Sequence, residues 1–145
     1  MGLRPRAGKR AHDGDDLRSW LTNLGRGPVV HETVVLACGQ HGDERPTWCY
    51  VEADPVAGVA RRRCLACGFA VSLLDSGSRW TFPPVWSCPT CRHCIAEVAA
   101  GLSVPDGDHV RWVVLAARCV ECGDTAGLTD MVLDDRPLAS VLVSL

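Results

Sequence analysis

Val59-Ala60-Arg61-Arg62-Arg63-Cys64-Leu65-Ala66-Cys67-Gly68 returns 55 residues later as Val114-Leu115-Ala116-Ala117-Arg118-Cys119-Val120-Glu121-Cys122-Gly123. At the same offset Leu73 matches Leu128 and Asp75 matches Asp130. Upstream, Cys38 and His41 match Cys88 and Cys91 at an offset of 50, so the reading places five extra residues in the second copy's central loop. Each copy then runs knuckle, strand, loop, strand, knuckle and a short apolar segment. Duplication of one small unit accounts for agreement at so many positions.

The knuckles carry the chemistry. Two ligands separated by two residues close a tight turn on one metal, and structural zinc takes four Cys or His ligands in a tetrahedral shell. A glycine after the second ligand suits a chain that must adopt positive φ. Three knuckles have it: Cys38-Gly39-Gln40-His41-Gly42, Cys64 to Gly68, and Cys119 to Gly123. The fourth, Cys88-Pro89-Thr90-Cys91-Arg92, carries a proline after its first cysteine instead. Site one is therefore assigned to Cys38, His41, Cys64 and Cys67, and site two to Cys88, Cys91, Cys119 and Cys122, for two Zn²⁺ per chain. Iron suits four thiolates as well.

Paired knuckles at the ends of β-hairpins resemble the zinc-ribbon class, over roughly residues 34–130. That resemblance implies a small, metal-stabilised, mainly β fold of two tandem zinc ribbons. It does not imply one function, because ribbons of this class serve in transcription and translation factors, in nucleic-acid enzymes and as structural inserts.

Four thiolates around Zn²⁺ leave a net charge of about −2, and three with one His about −1. Arg63 and Arg118 precede second knuckles and Arg92 follows a first one, where they can offset this charge. The run Arg61-Arg62-Arg63 has a second reading as a phosphate-contacting patch. Cys49 and Cys94 are left over and read as small buried residues of strands. Cys91-Arg92-His93-Cys94 crowds donors together, so His93 and Cys94 are alternative ligands for site two.

The 145 residues include nine cysteines and carry a net charge of −2. Units this small bury little surface and need a staple such as metal or disulfide. Residues 1–20 have no apolar core of a secretory signal, and no apolar run nears the ~20 residues needed to span a membrane. A reducing, cytoplasmic setting is expected, where Cys-x-x-Cys more often binds metal than oxidises.

Outside the units, residues 1–14 read as a solvated basic tail and 15–27 as a region containing a short helix. Leu17, Trp20, Leu21 and Leu24 share one helical face, Asp15 or Asp16 can cap its start, and Gly25 can end it. The first ribbon is expected over 28–82 and the second over 83–133, divided at Pro83-Pro84. Strands are expected at 34–36, 48–53 and 110–116, with turns at Asp54-Pro55 and Asp106-Gly107-Asp108. In 134–145, Leu138, Val141, Leu142 and Leu145 have helical spacing, with Asp135 and Pro137 at its start, although a β reading of 140–145 stays open. Trp48, Trp80, Trp86 and Trp112 flank the ribbon elements as sheet covers or as stacking surfaces.

No His-Glu-x-x-His, zinc-deaminase, nucleophile-elbow or phosphate-loop pattern occurs. The expectation is a non-catalytic binding module with a protein or nucleic-acid partner. The rivals are a thiol-based redox or zinc-release sensor, and a metal enzyme with an open site at Cys88, Cys91 and His93.

Overall fold

The computed structural model describes residues 13–40 and 48–145. The expected basic tail, apart from its last two positions, lies outside the described residues, as does His41. The chain runs through helix α1 (Asp13–Thr22), β1 (Glu32–Val35), β2 (Cys49–Asp54), β3 (Val59–Cys64), β4 (Ala70–Ser72), β5 (Ala96–Ser103), β6 (His109–Cys119), β7 (Thr125–Pro137) and helix α2 (Leu138–Leu142). A 3-10 turn, Ser76–Arg79, lies between β4 and β5. The fold is mainly β with short helices at either end.

The two copies share one antiparallel sheet. Its order is β4-β3-β2-β5-β6-β7, with β1 added alongside β5. Within each copy the registers agree pair for pair. Cys49 faces Cys64 as Ala96 faces Cys119, and Asp54 faces Val59 as Gly101 faces Val114. Arg63 faces Ala70 as Arg118 faces Thr125. The offset is therefore 50 at the first knuckle, 47 in the first strand and 55 from the second strand on. The five-residue difference expected in the central loop resolves into two changes: the second copy is three residues shorter before its hairpin and eight longer within it.

Where the copies meet, Cys49 pairs with Ala96, its own counterpart. Equivalent residues directly opposite in antiparallel strands place a local two-fold axis perpendicular to the sheet, so each face of one copy continues as the same face of the other. The copies also exchange the segments that precede their first knuckles. Leu36 N–H donates to Val98 at 2.9 Å, and its counterpart Trp86 donates to Val51 at 2.7 Å. β1 thus lies on the second copy's hairpin, while Val85 bridges to Glu52 on the first. Hydrogen bonding crosses the expected division at residues 82 and 83 in both directions.

Alternating residues bury two cores. On one face Val51, Ala60, Leu73, Val98, Val113 and Leu115 pack with Val141 and Leu145 from the C-terminal segment. On the other, Leu17 and Leu21 of α1 pack on Ala99, Val114, Ala116 and Trp112. The apolar stripe of α1 therefore docks on its own chain. The helix starts at Asp13 and ends at Thr22, with Gly25 at φ +75° beyond it. Asp16 lies inside the helix rather than capping it, and its carboxylate faces Arg118 at 3.9 Å.

Both expected turns form around an aspartate. Asp54 accepts the N–H groups of Val56 and Ala57, and Asp106 those of Asp108 and His109. These donors hold the Asp106 carboxyl down at about 2. The C-terminal helix is shorter than its apolar spacing suggests. Asp134 and Asp135 belong to β7, where Asp135 pairs with Arg111 at 2.7 Å.

Truncating Leu21, which is fully buried under α1, is expected to cost about 3 kcal/mol by loss of transfer energy and opening of a cavity. Val143→Ala, at a residue 86% exposed, should stay within about 0.5 kcal/mol. Urea denaturation of the two variants measures both; equal effects would contradict this placement of α1.

Candidate metal centres

Each second knuckle begins at the last residue of a strand. Cys64 ends β3 and Cys119 ends β6. The chain then turns so that Gly68 N–H reaches the Cys64 carbonyl at 2.8 Å and Gly123 N–H reaches that of Cys119 at 2.9 Å. Both glycines have positive φ, +77° and +84°. The knuckle at Cys88 repeats this turn without a glycine: Arg92 N–H donates to the Cys88 carbonyl at 2.8 Å, and Arg92 itself sits at φ +71°. A non-glycine residue there costs about 1–2 kcal/mol. The first knuckles also match. Gln40 N–H points at Cys38 Sγ and Thr90 N–H at Cys88 Sγ, each at 3.4 Å.

The second copy brings Cys88, Cys91, Cys119 and Cys122 together, with all four sulfurs within 4.8 Å of one another. Cys88 Sγ lies 3.6 Å from Cys122 Sγ, and Cys91 Sγ 3.5 Å from Cys119 Sγ. A tetrahedron with metal–sulfur bonds near 2.3 Å has sulfur–sulfur edges of about 3.8 Å, whereas a disulfide needs about 2.05 Å. The spacing fits four thiolates around one metal ion. In the first copy Cys38, Cys64 and Cys67 form the corresponding cluster, with Cys38 Sγ and Cys67 Sγ 3.7 Å apart. Three donors of that site are thus assembled among the described residues.

The two clusters differ in access. Cys88, Cys119 and Cys122 are buried and Cys91 partly so, whereas Cys67 is exposed. Burial raises the Cys122 thiol to about 12 and also raises Cys119. At Cys88 burial acts upward too, but N–H groups of Cys91 and Thr90 outweigh it and the net shift is downward. Cys88 is therefore a readier thiolate than Cys119 or Cys122, and a bound cation would draw the proton from Cys122.

Among the described residues, neither His93 nor Cys94 joins a cluster. The His93 ring lies 4.0 Å from the Glu121 carboxylate at the surface. Cys49 is buried in β2, and its thiol is pushed up to about 12 by burial. Its counterpart is Ala96, not Cys94, which explains why a small apolar residue is needed there.

The arginine run divides between two faces. Arg62 is buried and donates twice to the Leu145 carbonyl, at 3.1 and 2.8 Å. Burial lowers its pKa, and the neighbouring Cys49, Cys38 and Cys64 oppose that shift. Arg62, not Arg63, is the cation set against the thiols of the first cluster. Arg61 pairs with Glu52 at 2.8 Å and lies 4.5 Å over the Trp80 ring. Arg63 is exposed and donates to the Gly68 carbonyl. Arg118 is fully buried between Glu97, at 3.5 Å, and Asp16. The sequence reading missed this last group, whose only signal was Asp-Asp at the start of a helix and one glutamate in an otherwise apolar strand.

The chain matches no protein-family model, no curated protein sequence and no solved structure.

Replacing Arg92 by glycine is expected to raise unfolding free energy by about 1 kcal/mol, by relieving the left-handed backbone. Thermal unfolding of metal-loaded protein checks this, and a lower melting temperature would contradict it. A second expectation concerns Cys49. With its thiol near 12, roughly one molecule in ten thousand carries a thiolate there at about pH 8, against one in ten for an ordinary thiol. Iodoacetamide should leave Cys49 unmodified until the protein unfolds, and labelling should rise only as pH climbs toward that value. Peptide mass spectrometry before and after denaturation would reveal any native labelling.

Proposed function

We propose that the protein is a non-catalytic binding module, a double ribbon stapled by two Zn²⁺ that presents a rigid surface to another macromolecule in a reducing, cytoplasmic compartment. The observation that carries this reading is the pair of thiol clusters, with tetrahedral spacing, at the ends of one row of residues. That row runs Cys64, Cys49, Ala96, Cys119 across four strands, so its ends lie about 14 Å apart at ordinary strand spacing.

With four thiolates in the second site, a tetrahedral ion keeps no position for water or substrate, which is what a structural site requires. In the first site the same closure would come from His41. Structural zinc contributes of the order of 10 kcal/mol or more to small folds, comparable to the whole stability of a domain. Among the described residues no helix is long and apolar enough to cross a membrane.

Native mass spectrometry on reduced protein is the test. Wild type is expected to carry two zinc ions. Cys122→Ser should carry one, and Cys94→Ser should keep both. Metal-free folded protein, or loss of zinc from Cys94→Ser, would overturn the assignment.

A further inference from the structure

The two-fold relation between the copies exposes a difference that neither copy shows alone. On the face that carries α1, the second copy presents Glu97, Ala99 and Gly101 from β5 and Val114, Ala116 and Arg118 from β6. Their counterparts in the first copy are Tyr50, Glu52 and Asp54 from β2 and Val59, Arg61 and Arg63 from β3. In the second copy this face is covered. Leu17 and Leu21 of α1 pack on Ala99, Val114 and Ala116, and Asp16 faces the buried Arg118. In the first copy the far half is closed by Trp80 stacked on Arg61. Among the described residues nothing covers the half next to the knuckle. There Arg63 is exposed, and Trp48, Leu65 and Phe69 at the same end of the hairpin are 46%, 40% and 46% exposed. Their counterparts Ile95, Val120 and Asp124 are only partly exposed.

We propose that this open half-face, centred on Arg63, is a docking site for an acidic amphipathic peptide segment of a partner protein. The proposal rests on the binding-module reading and names its partner class. The chemistry of the occupant follows from the covered copy. An arginine at this register position takes a carboxylate from a helix whose leucines cover the neighbouring sheet, and Arg63 holds the same position. A carboxylate with bulky apolar neighbours satisfies both the guanidinium and the exposed apolar residues. Nucleic acid fits less well. Arg61 is already neutralised by Glu52 at 2.8 Å, and Asp54 carries its charge on the same face. Among the described residues of this face, a phosphate backbone would therefore meet Asp54 as well as Arg63.

The test uses the full-length protein and two fluorescein-labelled probes. One is a peptide with the sequence of residues 13–24, the other a single-stranded oligothymidylate. Anisotropy titrations are run on wild type, Arg63→Glu, the milder Arg63→Gln, and Arg111→Glu as a control at a distant exposed arginine. Zinc content is read on each sample by native mass spectrometry. The peptide is expected to bind wild type and Arg111→Glu alike, and to lose about tenfold in affinity with Arg63→Glu. A peptide carrying Asp16→Asn should lose affinity for wild type, with little further loss on the Arg63 variants. Absence of peptide binding, or binding indifferent to both Arg63 variants, overturns the proposal. So does binding that grows in Leu21→Ala protein and ignores Arg63, because the peptide would then occupy the seat of α1. Tighter binding of the oligothymidylate, lost with Arg63→Glu and steeply weakened by salt, overturns it in favour of nucleic acid. Zinc counts separate the two levels: peptide failure with two zinc ions present sinks the docking site alone, and Arg63-dependent binding by metal-free protein sinks the zinc reading alone.

Discussion

Two short hydrogen bonds, from Leu36 N–H to Val98 and from Trp86 N–H to Val51, tie the first knuckle of each copy to the hairpin of the other. Everything downstream depends on this exchange. Cys38 follows a strand anchored on the second copy, yet its sulfur lies against that of Cys67 in the first. Cys88 follows a segment anchored on the first copy, yet it lies against Cys122 in the second. A metal at either cluster would therefore clamp both copies together, not one alone. Small units have thin cores. Here the exchange lets the two share a continuous sheet, and the shared core runs from Val51 through Val98 to Leu115.

Much of this was legible in the sequence, for identifiable reasons. Ligand spacing is a local property, so the Cys-x-x-Cys turns and the donors they supply could be read directly. So could the α1 stripe, because Leu17 and Leu21 repeat with helical period. The pairing of copies could not. It depends on which strand edges are left open, and a repeat offset carries no information about edges. The offset itself misled: a net difference of five residues concealed a loss of three and a gain of eight. β7 was missed because Asp130, Asp134 and Asp135 interrupt its apolar pattern. Two of those aspartates are used across the sheet: Asp130 accepts from Trp112 Nε1 at 2.8 Å, and Asp135 pairs with Arg111 at 2.7 Å.

The arginine run shows the same limit on a smaller scale. Three consecutive arginines look like one basic patch when charge is counted along the chain. In a strand they alternate, so Arg62 turns inward to the Leu145 carbonyl while Arg61 and Arg63 turn outward. Glu52, directly opposite Arg61, then removes one of the two outward charges. Among the described residues only Arg63 of the three is left exposed and without a carboxylate partner, which weakens any case built on bulk attraction to phosphate.

Duplication also explains why the copies differ where they do. A helix can lie close to a sheet only over small side chains, and the second copy supplies them at Ala99, Gly101, Ala116 and Gly127. A Cβ at Gly101 would meet Val30 and Val114 at 3.1 Å, and one at Gly127 would reach Trp20 at 3.7 Å. The first copy has Glu52, Asp54, Arg61 and Ser72 at these positions, and such a floor is too tall and too polar to seat α1. With α1 available to only one of two equivalent faces, the chain seats it on the face whose residues are small; on the other, among the described residues, Trp80 covers Arg61 and the half beside the knuckle stays exposed. The buried Arg118 marks the cost of that choice, since a desolvated guanidinium is tolerable only while Glu97 and Asp16 stay beside it. Arg63 carries no such constraint: Tyr50 stands where Arg118 has Glu97, and among the described residues Arg63 is exposed and donates only to the Gly68 carbonyl.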